Sequence, residues 1–142
     1  MSTLFVLDMA NPTNHIYNQR YDVLKSILNS ADTDSEYIYN LGLLFECIFE
    51  YWEETGKEEG LGAELLILNE IGEIITNLRA RINSNIELSY EFFTFTLFQS
   101  LWAFLIDLRI KVNDDPNNSN KDLLNQLINE RMSELALNRA GH

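Results

Sequence analysis

A lone cysteine, two prolines, two histidines and ten basic residues in a chain of 142 put several kinds of protein out of reach. Cys47 by itself can close no internal disulfide and build no cysteine-type metal site, which suits a reducing compartment such as the cytosol. Its neighbours Leu44, Phe45, Ile48 and Phe49 mark it as a buried, inert thiol. Neither His15 nor His142 follows a glutamate at the Glu-x-x-His spacing of di-metal helical bundles, so no metal site is expected. His15, beside Asn14 in a first helical turn, reads as an exposed or capping residue with no nucleophile to serve. The segment 114–120 (DDPNNSN) is rich in oxygen ligands but lacks the alternation, central glycine and closing glutamate of a calcium loop. It reads as a polar turn. Gly60-Leu61-Gly62 follows no strand and comes after Glu58 and Glu59, whose charge repels a phosphate. No catalytic residue and no cofactor is expected, and the chain reads as a non-enzyme.

Long apolar runs are scarce as well. The uncharged stretch 92–106 (FFTFTLFQSLWAFLI) would rise only about 22 Å as helix, short of a bilayer core of about 30 Å, so a buried core helix bounded by Glu91 and Asp107 is expected. Residues 1–9 hold an apolar run at 4–7 but neither a basic n-region nor a small-residue cleavage site, and no signal peptide is expected. The location expected is cytoplasmic. Ala140, Gly141 and His142 read as a cloning scar behind one domain of residues 1–139.

What the chain does have is enough apolar surface, 46% of residues with 11% aromatic, for a core of its own. Both prolines stand between periodic segments, so long helices are permitted. Asn11-Pro12 opens a helix to about residue 30, with Ile16, Tyr17, Tyr21, Val23, Leu24, Ile27 and Leu28 recurring at three and four. Thr33 and Glu36 form a capping box for a second helix ending near Thr55-Gly56. Tyr37, Leu41, Leu44, Phe45, Ile48, Phe49 and Trp52 trace its inner stripe.

A third helix is predicted over 58–83, with Leu61, Leu65, Leu68, Ile71, Ile75, Leu78 and Ile82 facing inward. Gly60, Gly62 and Gly72 weaken it by roughly 1 kcal/mol each unless close packing requires them. Ser84 and Glu87 cap a fourth, running to about 112. Ser119 or Asn120 caps a fifth bearing Leu123, Leu124, Leu127, Ile128 and Met132. The only strand-like segment is an extended N-terminal arm at 3–7. The fold predicted is all-α, a single-domain bundle of about five helices, mainly antiparallel.

Between residues 32 and 64 ten acids face the single base Lys57, a local balance of −9 within a net −12. Glu46, Glu50, Glu53 and Glu54 recur at helical spacings of three and four, where like charges repel by a few tenths of a kcal/mol per pair, with no adjacent arginine to relieve them. Docking of a basic partner would relieve that repulsion. A field of one sign on one segment steers basic proteins and repels nucleic acid and anionic membrane. Tyr39 and Tyr51, placed off the inner stripe, would add amphipathic rings of the kind interfaces use. The bases Arg79, Arg81, Arg109 and Lys111 read as helix C-terminal charges and not as a nucleic-acid patch.

In small size, acidity, single domain and lack of a signal peptide, the chain resembles the immunity proteins of bacterial toxin–immunity pairs, as in colicin and contact-dependent growth inhibition systems. The resemblance implies binding of a cognate toxin's C-terminal domain inside the cell. The surface expected to meet this basic protein comprises Glu46, Glu50, Tyr51, Glu53, Glu54, Glu58 and Glu59. Two other readings use the same residues or none of them: a DNA mimic inhibiting a DNA-binding protein, and a helical adaptor without inhibitory role.

Overall fold

The computed structural model describes residues 12–56, 61–82 and 96–140. Five α-helices account for nearly all of these: α1 (Pro12–Asn29), α2 (Asp34–Tyr51), α3 (Leu61–Ile82), α4 (Thr96–Asp114) and α5 (Lys121–Ala140). A π-helical turn, Trp52–Gly56, extends α2, and no strand occurs among the described residues. The expected all-α fold of about five helices is what the structure shows. The arm at 3–7, Asn11, Glu58, Glu59 and the Ser84–Glu87 box lie outside the described residues. So do Gly141 and His142, while Ala140, read as appended, is the last residue of α5. Contacts gather into two compact units, residues 1–67 and 68–142, divided within α3.

In the first unit α1 and α2 form an antiparallel hairpin, since residues near the start of α1 meet residues near the end of α2. The turn is fixed by its cap. The Glu36 N–H donates to Thr33 Oγ1 at 3.1 Å, and the Glu36 carboxylate reaches back to the Asp32 N–H at 3.3 Å, one residue earlier than a reciprocal box would place it. Tyr17, Tyr21 and Leu28 of α1 are buried, but Ile16, Val23 and Ile27 are not. The apolar set read as one stripe is therefore two, on different sides of the helix. Residues 17, 21 and 28 share one side and 16, 23 and 27 another, because a one-residue offset turns a side chain by about 100°.

Helix α2 buries Tyr37, Ile38, Leu41, Leu44, Phe45, Cys47, Ile48 and Tyr51, about half its circumference at ~100° per residue. That burial, at roughly 1.5–3 kcal/mol per large apolar side chain, holds the hairpin far more than any polar contact does. On the first turns of α3, Ala63 and Ile67 are buried and Leu61 and Leu65 half-buried.

In the second unit α4 and α5 form another antiparallel hairpin, with Asn113 beside Asn125 and Arg109 beside Asn129. Asn113 and Asn125 exchange amide hydrogen bonds of 3.1 and 2.8 Å. The polar turn between the helices is built as its composition implies. Asp115 Oδ1 accepts from the Asn117 N–H and Asn118 Oδ1 from the Asn120 N–H, each satisfying a backbone donor the turn would leave open. Leu101, Leu105, Leu108 and Val112 of α4 are buried, as are Leu124, Ile128, Met132 and Leu135 of α5. Leu123, placed on the inner side by spacing, is exposed, because it precedes Leu124 by one residue on a helix with a narrow apolar stripe.

Gly72 explains itself. A Cβ built there would fall 1.5 Å from Arg131 Nη1 and 2.8 Å from its Cζ, so the bare backbone of α3 is the floor on which that guanidinium lies. Arg131 Nε faces Glu134 Oε1 at 3.0 Å, and both atoms are shielded from water.

Candidate functional site

The acids of α2 and its π turn face outward, and two of them, Glu50 and Glu54, also bond side chains of α1. Glu36, Tyr39, Leu43, Glu46 and Glu50 fall within an arc of about 80° at ~100° per residue, and all but half-buried Leu43 are exposed. Glu53 is exposed just beyond, in the π turn. Of the seven residues expected at the partner surface, Glu46, Glu50, Glu53 and Glu54 are exposed, and Glu58 and Glu59 lie outside the described residues. Tyr51 is not on the surface at all. It is 1% exposed, because it sits seven residues after Leu44 and three after Ile48, on the buried side. The exposed ring among the acids is Tyr39, 62% exposed. Glu64, counted in the acidic block, is 4% exposed and so adds nothing to a surface.

Relief of the carboxylate repulsion comes from within the molecule, which corrects the expectation that no arginine adjoins them. Arg20 of α1 donates from Nη1 to Glu50 Oε2 at 2.5 Å. The Tyr17 hydroxyl donates to Glu54 Oε2 at 2.6 Å. The π turn that carries Glu54 starts directly after Tyr51, where the Trp52 N–H donates to both Ile48 O and Phe49 O. Tyr17 also meets the Tyr51 ring edge-on, with centroids 5.7 Å apart. Two side chains of α1 thus bind two acids of α2 across the mouth of the hairpin.

The electrostatics of this cluster are structural. Burial, then the hydrogen bond to Glu54 and the charges of Glu54 and Glu50, hold the Tyr17 phenol well above its ordinary range, so it stays a donor. The hydrogen bond to Glu50 pushes the Arg20 guanidinium further up. Cys47, fully buried, has its thiol pushed up to about 11 by burial, with the Arg20 charge opposing and the Glu50 charge adding. A thiol so placed supplies no nucleophile at neutral pH. Among the described residues no three histidine, cysteine or carboxylate groups converge to hold a metal ion. No described helix is long and apolar enough to cross a membrane.

Tyr17 and Arg20 are what residue-by-residue reading misses, whereas Tyr39, read from spacing as an off-stripe ring, is exposed. For Arg20 a signal existed: folding an antiparallel hairpin about residues 30–33 sets it within a turn or two of Glu46 and Glu50. Compared with protein-family models, with curated proteins and with solved structures, the chain matches none.

Proposed function

We propose that this protein is an inhibitor of a basic protein, of the immunity type, which covers a nuclease-like toxin domain in the cytosol and performs no chemistry itself. One observation carries the reading. The outward side of α2 and its π turn presents Glu36, Glu46, Glu50 and Glu53 around the exposed Tyr39 ring. Such a face offers carboxylates to lysines and arginines and a rigid amphipathic ring as an anchor, a combination that gives fast, salt-sensitive association. Glu50 and Glu54 at the same surface also bond Arg20 and Tyr17 of α1.

The experiment is capture from the source cell with the full-length chain, followed by association kinetics on the recovered protein. A single basic protein is expected, with an on-rate falling steeply as salt rises and severalfold slower for Glu46→Gln/Glu53→Gln. Binding that ignores salt, or a double variant that associates like the parent, would refute the reading.

A further inference from the structure

Helix α1 has two apolar seams, and only one is buried. Tyr17, Tyr21 and Leu28 lie inward, whereas Ile16, Val23 and Ile27 are 61%, 59% and 44% exposed. Apolar residues scattered singly over a surface need no explanation. These are not scattered: with Arg20 they run 16, 20, 23, 27, in steps of four, three and four. That is the 3.5-residue seam along which one helix takes another, here over about 16 Å of axis.

Arg20, the polar member, does not stand out from the seam as a free charge. It leans to α2 and bonds Glu50, which brings the edge of the seam against the acidic row. The apolar strip of α1 and the acidic strip of α2 are therefore neighbours on one two-helix surface.

We propose that this surface takes an amphipathic helix of a basic partner protein, its apolar side chains along Ile16, Val23 and Ile27 and its lysines or arginines over Glu46, Glu50 and Glu53. The inference rests on the reading that the acidic row meets a basic protein, and it adds the α1 seam and the helical form of what docks. Charge decides among the occupants. A second copy would bring like acidic rows together in a chain of net charge −12, and an anionic lipid surface would be repelled in the same way. A basic amphipathic helix gains at both strips at once, burying aliphatic surface on one and neutralising carboxylates on the other.

The test uses the full-length chain and a synthetic helical peptide of about five turns (~18 residues), with leucines in a 3.5-residue seam and lysines elsewhere. A control peptide of equal length and charge carries serine for leucine. Anisotropy titrations are expected to show the leucine peptide binding at least about tenfold tighter than the control. Val23→Ser/Ile27→Ser, at exposed positions, should keep the parent's helix content and melting and weaken the leucine peptide by about tenfold with its salt dependence unchanged. Glu46→Gln/Glu53→Gln should flatten the salt dependence instead.

Equal binding of the two peptides, no binding, or a seam variant that binds like the parent would overturn the proposal. So would sedimentation showing a parental dimer that Val23→Ser/Ile27→Ser splits, which assigns the seam to a second copy. A native basic partner that loses affinity with Glu46→Gln/Glu53→Gln but not with the seam variant overturns the seam and leaves the acidic reading standing.

Discussion

Replacing Gly72 by alanine ought to stabilise a helix, yet here the sign should reverse. In an α-helix interior the change is worth about 1 kcal/mol in favour of alanine. At this position the new methyl would sit 1.5 Å from Arg131 Nη1, so the guanidinium must move by about 2 Å to reach an ordinary contact of 3.5–4.0 Å. That displacement pulls Arg131 Nε away from Glu134 Oε1, now 3.0 Å distant, and neither atom has another hydrogen-bond partner among the described residues. Stranding a shielded carboxylate oxygen costs about 1–3 kcal/mol. The loss exceeds the gain, and Gly72→Ala should destabilise by about 1 kcal/mol.

With Arg131→Met already present the clash and the ion pair are both gone. Gly72→Ala should then stabilise by about 1 kcal/mol, a coupling of about 2 kcal/mol. Each unit has one tryptophan, Trp52 in the first and Trp102 in the second, so a Trp52→Phe background makes fluorescence report the second unit alone. Urea unfolding of the four proteins in that background completes the cycle. Equal effects of Gly72→Ala with and without Arg131 would refute the account of why glycine stands there.

Two further outcomes concern the Tyr17–Glu54 pair and a half-buried carboxyl of α3, Glu70. Tyr17→Phe removes the donor to Glu54 and should cost about 1–2 kcal/mol, nearly all of it absent when Glu54→Ala is already in place; Trp52 fluorescence during unfolding in a Trp102→Phe background measures this, and additive losses would show the two groups do not interact. Burial, helped by the charge of Glu73, raises the Glu70 carboxyl from 4.5 to about 7. The folded state therefore holds that proton more tightly than the unfolded chain, and stability falls as pH rises through 7. Glu70→Gln should thus stabilise at pH 8 by about 1–2 kcal/mol, after solvent screening of a partly accessible group, and lose that advantage below about pH 4.5. A variant whose advantage does not change with pH would contradict it.

The helices were legible because their signals are local. Thr33 and Glu36 announce the start of α2 by a four-residue pattern, and Asp115 and Asn118 make the α4–α5 turn with hydrogen bonds two residues long. Side-chain facing was legible only where a helix has one apolar stripe, as in α5 at Leu124, Ile128 and Met132. On α1 two stripes overlap in sequence, and spacing alone does not say which meets α2. Tyr51 should have been read inward, since Leu44 lies two turns before it; its chemistry as an amphipathic ring outweighed its register. The partners of Glu50 and Glu54 were out of view for another reason, because Arg20 and Tyr17 are 30 and 37 positions away and reach them only once the hairpin has closed. Gly72 was legible as an anomaly but not as a floor for Arg131, which is 59 positions downstream.

Those two bonds at the hairpin's mouth also bear on the order in which the chain gains and loses structure. Contacts beside the 30–33 turn close short loops, whereas the Arg20 and Tyr17 contacts span 30 and 37 positions and are reached only after the intervening turns of helix have aligned. They form late and part early. Fraying of the first unit then starts at the mouth, in a local opening that need not involve the rest of the chain. Cys47 lies one helical turn before Glu50, close enough to Arg20 to feel its charge. The chain's only thiol, silent while the mouth is shut, is thereby a native clock for how often it opens.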